Sequence, residues 1–152
     1  MYFKSLLPNF SEIAKTDWSK PTINSKDTLG LAGLVSVALM IIFVFLNWYE
    51  VDLSFLGKVE KSGIDVYCGV IGLIAALIAG IGVLYGHYSL VFTAAVVALI
   101  FGIDGMTLAP EDKEAKELLE RANIEIEHTG AVLFTIASVV TGLVAFLKIN
   151  KK

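Results

Sequence analysis

Four long stretches of apolar residues, none with a charge in its middle, constrain this chain more than any other feature: about 29–48, 66–85, 89–105 and 129–147. An α-helix needs roughly 20 such residues to cross about 30 Å of hydrocarbon. A soluble bundle would alternate polar and apolar faces at a 3.6-residue period, whereas these segments are apolar all round, the pattern of helices facing lipid. The pattern predicts an all-α membrane protein: a bundle of four transmembrane helices with a small outer cap built from a short β-hairpin and one amphipathic helix. Only Gly86, His87 and Tyr88 separate the second stretch from the third, so a re-entrant hairpin made by these two is the alternative.

Composition agrees. A mean hydropathy of +0.74 and a charged fraction of 18% lie outside the range of ordinary soluble domains, where about a quarter of residues are charged. A net charge of -3 excludes a basic nucleic-acid arm, and 152 residues allow one domain. The expected layout is an N-terminal amphipathic helix and linker over 1–28, a transmembrane domain over 29–148 with outer segments 49–65 and 106–128, and a tail over 149–152. Lys4, Lys15, Lys20 and Lys26 precede the first stretch without a compact apolar core and cleavage site, so a removed signal peptide is not expected.

Cytoplasmic flanks of membrane helices carry an excess of Lys and Arg. With four spans both termini share one side, which holds seven lysines against five Lys and Arg on the other. Both termini are expected in the cytoplasm, and the protein in the cell membrane as a multi-pass chain. In the first outer segment Val51, Leu53 and Phe55 alternate with other residues before Gly57-Lys58 offers a turn, which reads as a hairpin. In the second, Ala109-Pro110-Glu111-Asp112 opens a helix expected to end near Asn123, and Ile124-Glu125-Ile126-Glu127 could add a third strand. Phe3, Leu6, Leu7, Phe10 and Ile13 recur at helical spacing near the N-terminus and suggest an interfacial or docking helix, with Pro8 limiting where it can start.

Transmembrane helices associate through close contact, which favours small residues on facing sides. Gly72, Ala76 and Gly80 recur at every fourth position, as do Gly82 and Gly86, and the third stretch offers Ala94, Ala98 and Gly102. These rows line either the bundle's own interior or a surface for another chain. Asp104, at the outer end of the third stretch, is the nearest acid to the membrane and a candidate for an ion or proton role, against a local cap. Trp18, Trp48, Tyr49, Tyr85 and Tyr88 read as interfacial anchors, and His87 and His128 as solvated side chains. The single Cys68 cannot form an intrachain disulfide. No nucleophile with a base, no paired carboxylates and no metal-ligand spacing is present, so neither catalysis nor a cofactor is expected.

The layout of four helices, with a β-forming first outer segment and a helix in the second, resembles the claudin family. Claudins carry a Gly-Leu-Trp and two cysteines in the first outer segment, where this chain has Asn47-Trp48-Tyr49 and nearby only Cys68. The resemblance therefore implies a topology and transfers no site residue. Ser62-Gly63-Ile64-Asp65 resembles the return strand of small four-helix bacterial membrane proteins of unassigned function. The expected function is that of a noncatalytic accessory or scaffold subunit of a larger membrane complex, with the bilayer and other membrane subunits as partners. The alternative is a small homo-oligomeric channel or transporter lined by Ser36, Thr93, Thr135, Ser138 and Thr141.

Overall fold

A computed structural model describes residues 6–24, 26–52, 57–109, 113–122 and 124–151. In chain order its elements are α1 (Phe10–Ala14), α2 (Thr28–Val44), β1 (Asn47–Asp52), β2 (Lys58–Ser62), α3 (Tyr67–Leu84), α4 (Tyr88–Gly105), α5 (Lys113–Ala122), β3 (Ile126–Glu127) and α6 (Thr129–Asn150). Helices α2, α3, α4 and α6 close a ring in which α2 packs on α3, α3 on α4, α4 on α6 and α6 back on α2. By length and composition α3, α4 and α6 can each cross a membrane, while α2 is an apolar helix of 17 residues.

The bundle reverses the usual size gradient of a water-soluble core. Ala76, Ala79, Ala98 and Ala145 are fully buried between the helices, with Met40 and Phe134 filling the centre. Val35, Ile74, Ile100 and Leu143 point outward, each more than half exposed. Large apolar groups left outside gain nothing by folding in water; small groups inside let helices approach closely, which is how helices associate where the solvent is hydrocarbon.

A three-stranded sheet, in the order β2-β1-β3, sits at the end of the bundle where α2 ends and α6 starts. Strand β1 pairs antiparallel with β2 (Val51 opposite Val59, Asp52 opposite Lys58) and with β3 (Val51 opposite Ile126). The register slips between Asn47 and Tyr49, so Trp48 is the extra residue of a bulge and is re-aimed out of the sheet. Tyr49, Val51 and Leu119 then form a small second core, with Leu108, Ile124 and Ile126 packed against it. The expected hairpin, helix and third strand are all present, as is a helix end at Ala122. Leu53 and Phe55, and the expected helix start at Pro110-Glu111-Asp112, lie outside the described residues.

Three expectations are corrected. The first apolar stretch is helical only to Val44, because the chain turns at Phe45 and Leu46 into β1. Of Ser62-Gly63-Ile64-Asp65 only Ser62 belongs to a strand, as the last residue of β2: Gly63–Asp65 is a 3-10 turn, and the Asp65 carboxylate accepts from the Ser62 amide at 3.1 Å and its hydroxyl at 2.7 Å. The N-terminal helix is five residues long, and Leu6 and Leu7 precede it. Pro8 disfavours helix in the residue before it, and Asn9 caps the helix by accepting from the Ser11 amide at 3.2 Å. Leu6, Leu7, Phe10 and Ile13 therefore share no single helical face, and Phe3 lies outside the described residues.

Candidate functional site

The interior is closed and self-satisfied. Ser36 donates to the Gly33 carbonyl at 2.9 Å, and Thr141 Oγ1 lies 2.9 Å from both Ser36 Oγ and the Ala137 carbonyl. Ser138 donates to Phe134 O at 2.8 Å, Thr135 to Ala131 O at 2.8 Å and Thr93 to Ser89 O at 3.0 Å. Each hydroxyl that could have lined a path is thus bonded within its own helix or to a neighbour. Among the described residues no buried side-chain polar atom lacks a partner.

The small-residue rows face this interior. A Cβ on Gly72 would stand 2.8 Å from Phe134 of α6, one on Gly80 3.3 Å from Val37 of α2, and one on Gly82 2.8 Å from Val91 of α4. A Cβ on Gly102 would stand 3.2 Å from the Phe134 ring, and Ala76, Ala94 and Ala98 are buried. The Gly72, Ala76, Gly80 row accordingly faces α6 and α2 of the chain's own bundle, with Gly80 partly exposed. Gly86 belongs to none of these contacts: it sits in the turn after α3 with φ of +74°, a conformation that favours glycine, and a Cβ there would meet Thr22 Oγ1 at 2.9 Å.

At the sheet end, Trp48 is the central residue. It is fully buried, its indole N–H donates to the Phe43 carbonyl at 2.9 Å, and its ring centroid lies 5.1 Å from that of Phe134. Gly63, Gly105 and Gly130 surround it, and a Cβ on Gly105 would stand 2.6 Å from Trp48 Cε3. Trp48 and Tyr49 are buried structural residues, which corrects their reading as interfacial anchors. His128 Nδ1–H donates to the Trp48 carbonyl at 2.9 Å, so this histidine is a strut at the start of α6. Asp104 is half-buried and accepts a short hydrogen bond from the Tyr67 hydroxyl, tying the end of α4 to the start of α3. On the sheet, the Lys58 ammonium and the Asn47 amide hold the Glu50 carboxyl below its usual range.

The opposite end, where α2 starts and α6 ends, holds the other polar cluster. Asp27 caps α2 by accepting from the Gly30 amide at 3.0 Å, and its second oxygen meets the Lys148 ammonium of α6 at 2.5 Å. That ammonium also lies 5.1 Å from the centroid of the Tyr88 ring, at the start of α4. Hydrogen bonding from Lys148 and then from Gly30 holds the Asp27 carboxyl below its ordinary value. Three helix ends are joined at one point.

Residues 16–24, expected as a linker, are strapped across the turn between α3 and α4. Thr16 Oγ1 lies 2.6 Å from His87 Nε2, the Tyr85 hydroxyl donates to the Trp18 carbonyl at 2.6 Å, and the Thr22 amide donates to Leu84 O at 2.9 Å. The Trp18 and Tyr85 rings pack edge to face, with centroids 4.8 Å apart. His87 is therefore bonded, not merely solvated. Of these residues Asp27 had a signal, an N-cap residue directly before an apolar run; the Trp48 cage had none, since its glycines are scattered along the chain.

No group of three or more His, Cys, Asp or Glu able to hold a metal ion occurs among the described residues. No family model, curated protein or solved structure matches the chain.

Proposed function

We propose that the chain is a four-span integral membrane protein with both termini in the cytoplasm, acting as a noncatalytic accessory or scaffold subunit of a larger membrane complex. The observation that carries this reading is the closed interior: Met40, Phe134 and Thr141 are fully buried at the centre, and the intramembrane hydroxyls are bonded internally. An interior filled in this way leaves no open path along the axis of a single chain. What it presents is surface: lipid-facing apolar helix sides, a folded cap, and an N-terminal segment with exposed Leu7, Phe10 and Trp18. Small α2 is compatible with a fourth span, because Phe45 and Leu46 extend its apolar height.

The test is gentle extraction of the C-terminally tagged chain from its own membrane, followed by native mass measurement. Heteromeric partners in fixed ratio are expected. Recovery of the monomer alone overturns the scaffold reading, and a closed ring of identical chains would transfer the function to a path between protomers.

A further inference from the structure

A basic cleft of about 440 Å³ lies where the start of α2 meets the end of α6, lined by Lys26, Asp27, Thr28, Tyr88, Lys148 and Lys151 among others. Three lysines and one acid line it, and the carboxylate of that acid, Asp27, is already engaged by Lys148 and the Gly30 amide. The ammonium groups of Lys26 and Lys151 are exposed and have no acidic partner among the described residues. Such a cluster, at helix ends whose sides are apolar, attracts the phosphate of a lipid headgroup.

A second observation extends the site. An apolar groove of about 400 Å³ runs between α4 and α6, lined by Phe92, Ala95, Leu99, Val139, Leu143 and Phe146 among others. Tyr88 of the cleft lies four residues before Phe92 of the groove, about one helical turn along α4. Tyr88 and Lys148 also line a third hollow, of about 520 Å³, whose Ser89 and Ile149 stand three residues from Phe92 and Phe146 on the groove's own faces of α4 and α6. This hollow, which also holds Glu12, joins the basic cleft to the end of the hydrocarbon-lined groove.

We infer that the two form one binding site for an anionic phospholipid. The phosphate sits among Lys26, Lys148 and Lys151, within reach of the Thr28 and Tyr88 hydroxyls, and one acyl chain follows the groove. A zwitterionic headgroup would bring its own cation against these lysines and is disfavoured. The site requires the bundle to lie in a bilayer and requires no partner subunit, so it stands or falls separately from the scaffold role.

The experiment uses the full chain, purified in detergent and examined by native mass spectrometry with equimolar phosphatidylglycerol and phosphatidylcholine of identical acyl chains. Phosphatidylglycerol should be retained preferentially, and the double variant Lys26→Gln, Lys151→Gln should lower that retention about tenfold while leaving phosphatidylcholine unchanged. Both side chains are exposed, so the variant should melt with the wild type; if it does not, Lys151→Gln alone replaces it. Val139→Trp, which fills the groove, should also weaken phosphatidylglycerol retention. Equal retention of the two lipids, a preference that survives loss of the lysines, displacement by millimolar inorganic phosphate, or indifference to Val139→Trp would each overturn the proposal.

Discussion

Trp48 and Phe134 meet with ring centroids 5.1 Å apart and planes inclined by 53°, joining the first residues of the sheet to the second turn of α6. The contact is possible because the bulge in β1 turns the indole into the bundle and because glycines leave room for it.

Replacing Trp48 by Ala should be the most damaging single change in the cap. It empties a fully buried site and should cost about 3–5 kcal/mol. Thermal unfolding in detergent measures this, and a melting temperature equal to wild type would show that the ring is not structural.

Gly105→Ala tests the same cage from outside. Its Cβ would come within 2.6 Å of Trp48 Cε3 and 2.7 Å of Cζ3, and a ring enclosed on several sides cannot step away, so a loss of roughly 1–3 kcal/mol is expected. Gly57→Ala is the contrasting case: its φ is positive, at +90°, unlike that of the helical Gly105, and no described residue lies within 4 Å of its Cβ, so it should cost only the backbone penalty, about 1 kcal/mol.

The Asp27–Lys148 link gives a pH dependence of defined sign. The Asp27 carboxyl is held below its ordinary value of 3.8, so its stabilising contribution is complete above that value and is lost as pH falls through the lowered one. Glu50 and Asp65, lowered by Lys58 and Ser62 respectively, act in the same direction. The melting temperature should be flat from neutral pH to about 5 and fall below about 4. Asp27→Asn should start lower at neutral pH and converge on the wild type in acid; parallel curves would mean that the pair does not couple folding to pH.

Cys68 is fully buried, so the native protein offers a silent background for thiol labelling. In intact cells a membrane-impermeant maleimide should modify Lys61→Cys and spare Lys151→Cys. The opposite result would invert the membrane orientation proposed above.

Most of the helical scaffold was legible because an all-round apolar stretch needs no knowledge of its neighbours. The starts of α4 and α6 and the end of α5 fell within a residue or so of where turn and cap signals placed them. What was not legible depended on contacts between distant residues. Nothing local distinguishes Trp48 as a buried centre from an aromatic at a membrane boundary; the difference lies in Gly63, Gly105 and Gly130, which only the fold brings together. The strap failed for a related reason, since Thr16, Trp18 and Thr22 look like linker until Tyr85, Leu84 and His87 supply their partners. Among the proposed site residues, periodicity found the small-residue rows but could not say which way they faced.

The direct passage of α2 through Phe45 and Leu46 into β1, with Trp48 locked among the ends of α4 and α6, leaves no hinge between sheet and bundle. A pull on the sheet is therefore handed straight to Trp48 and, through it, to α4 and α6.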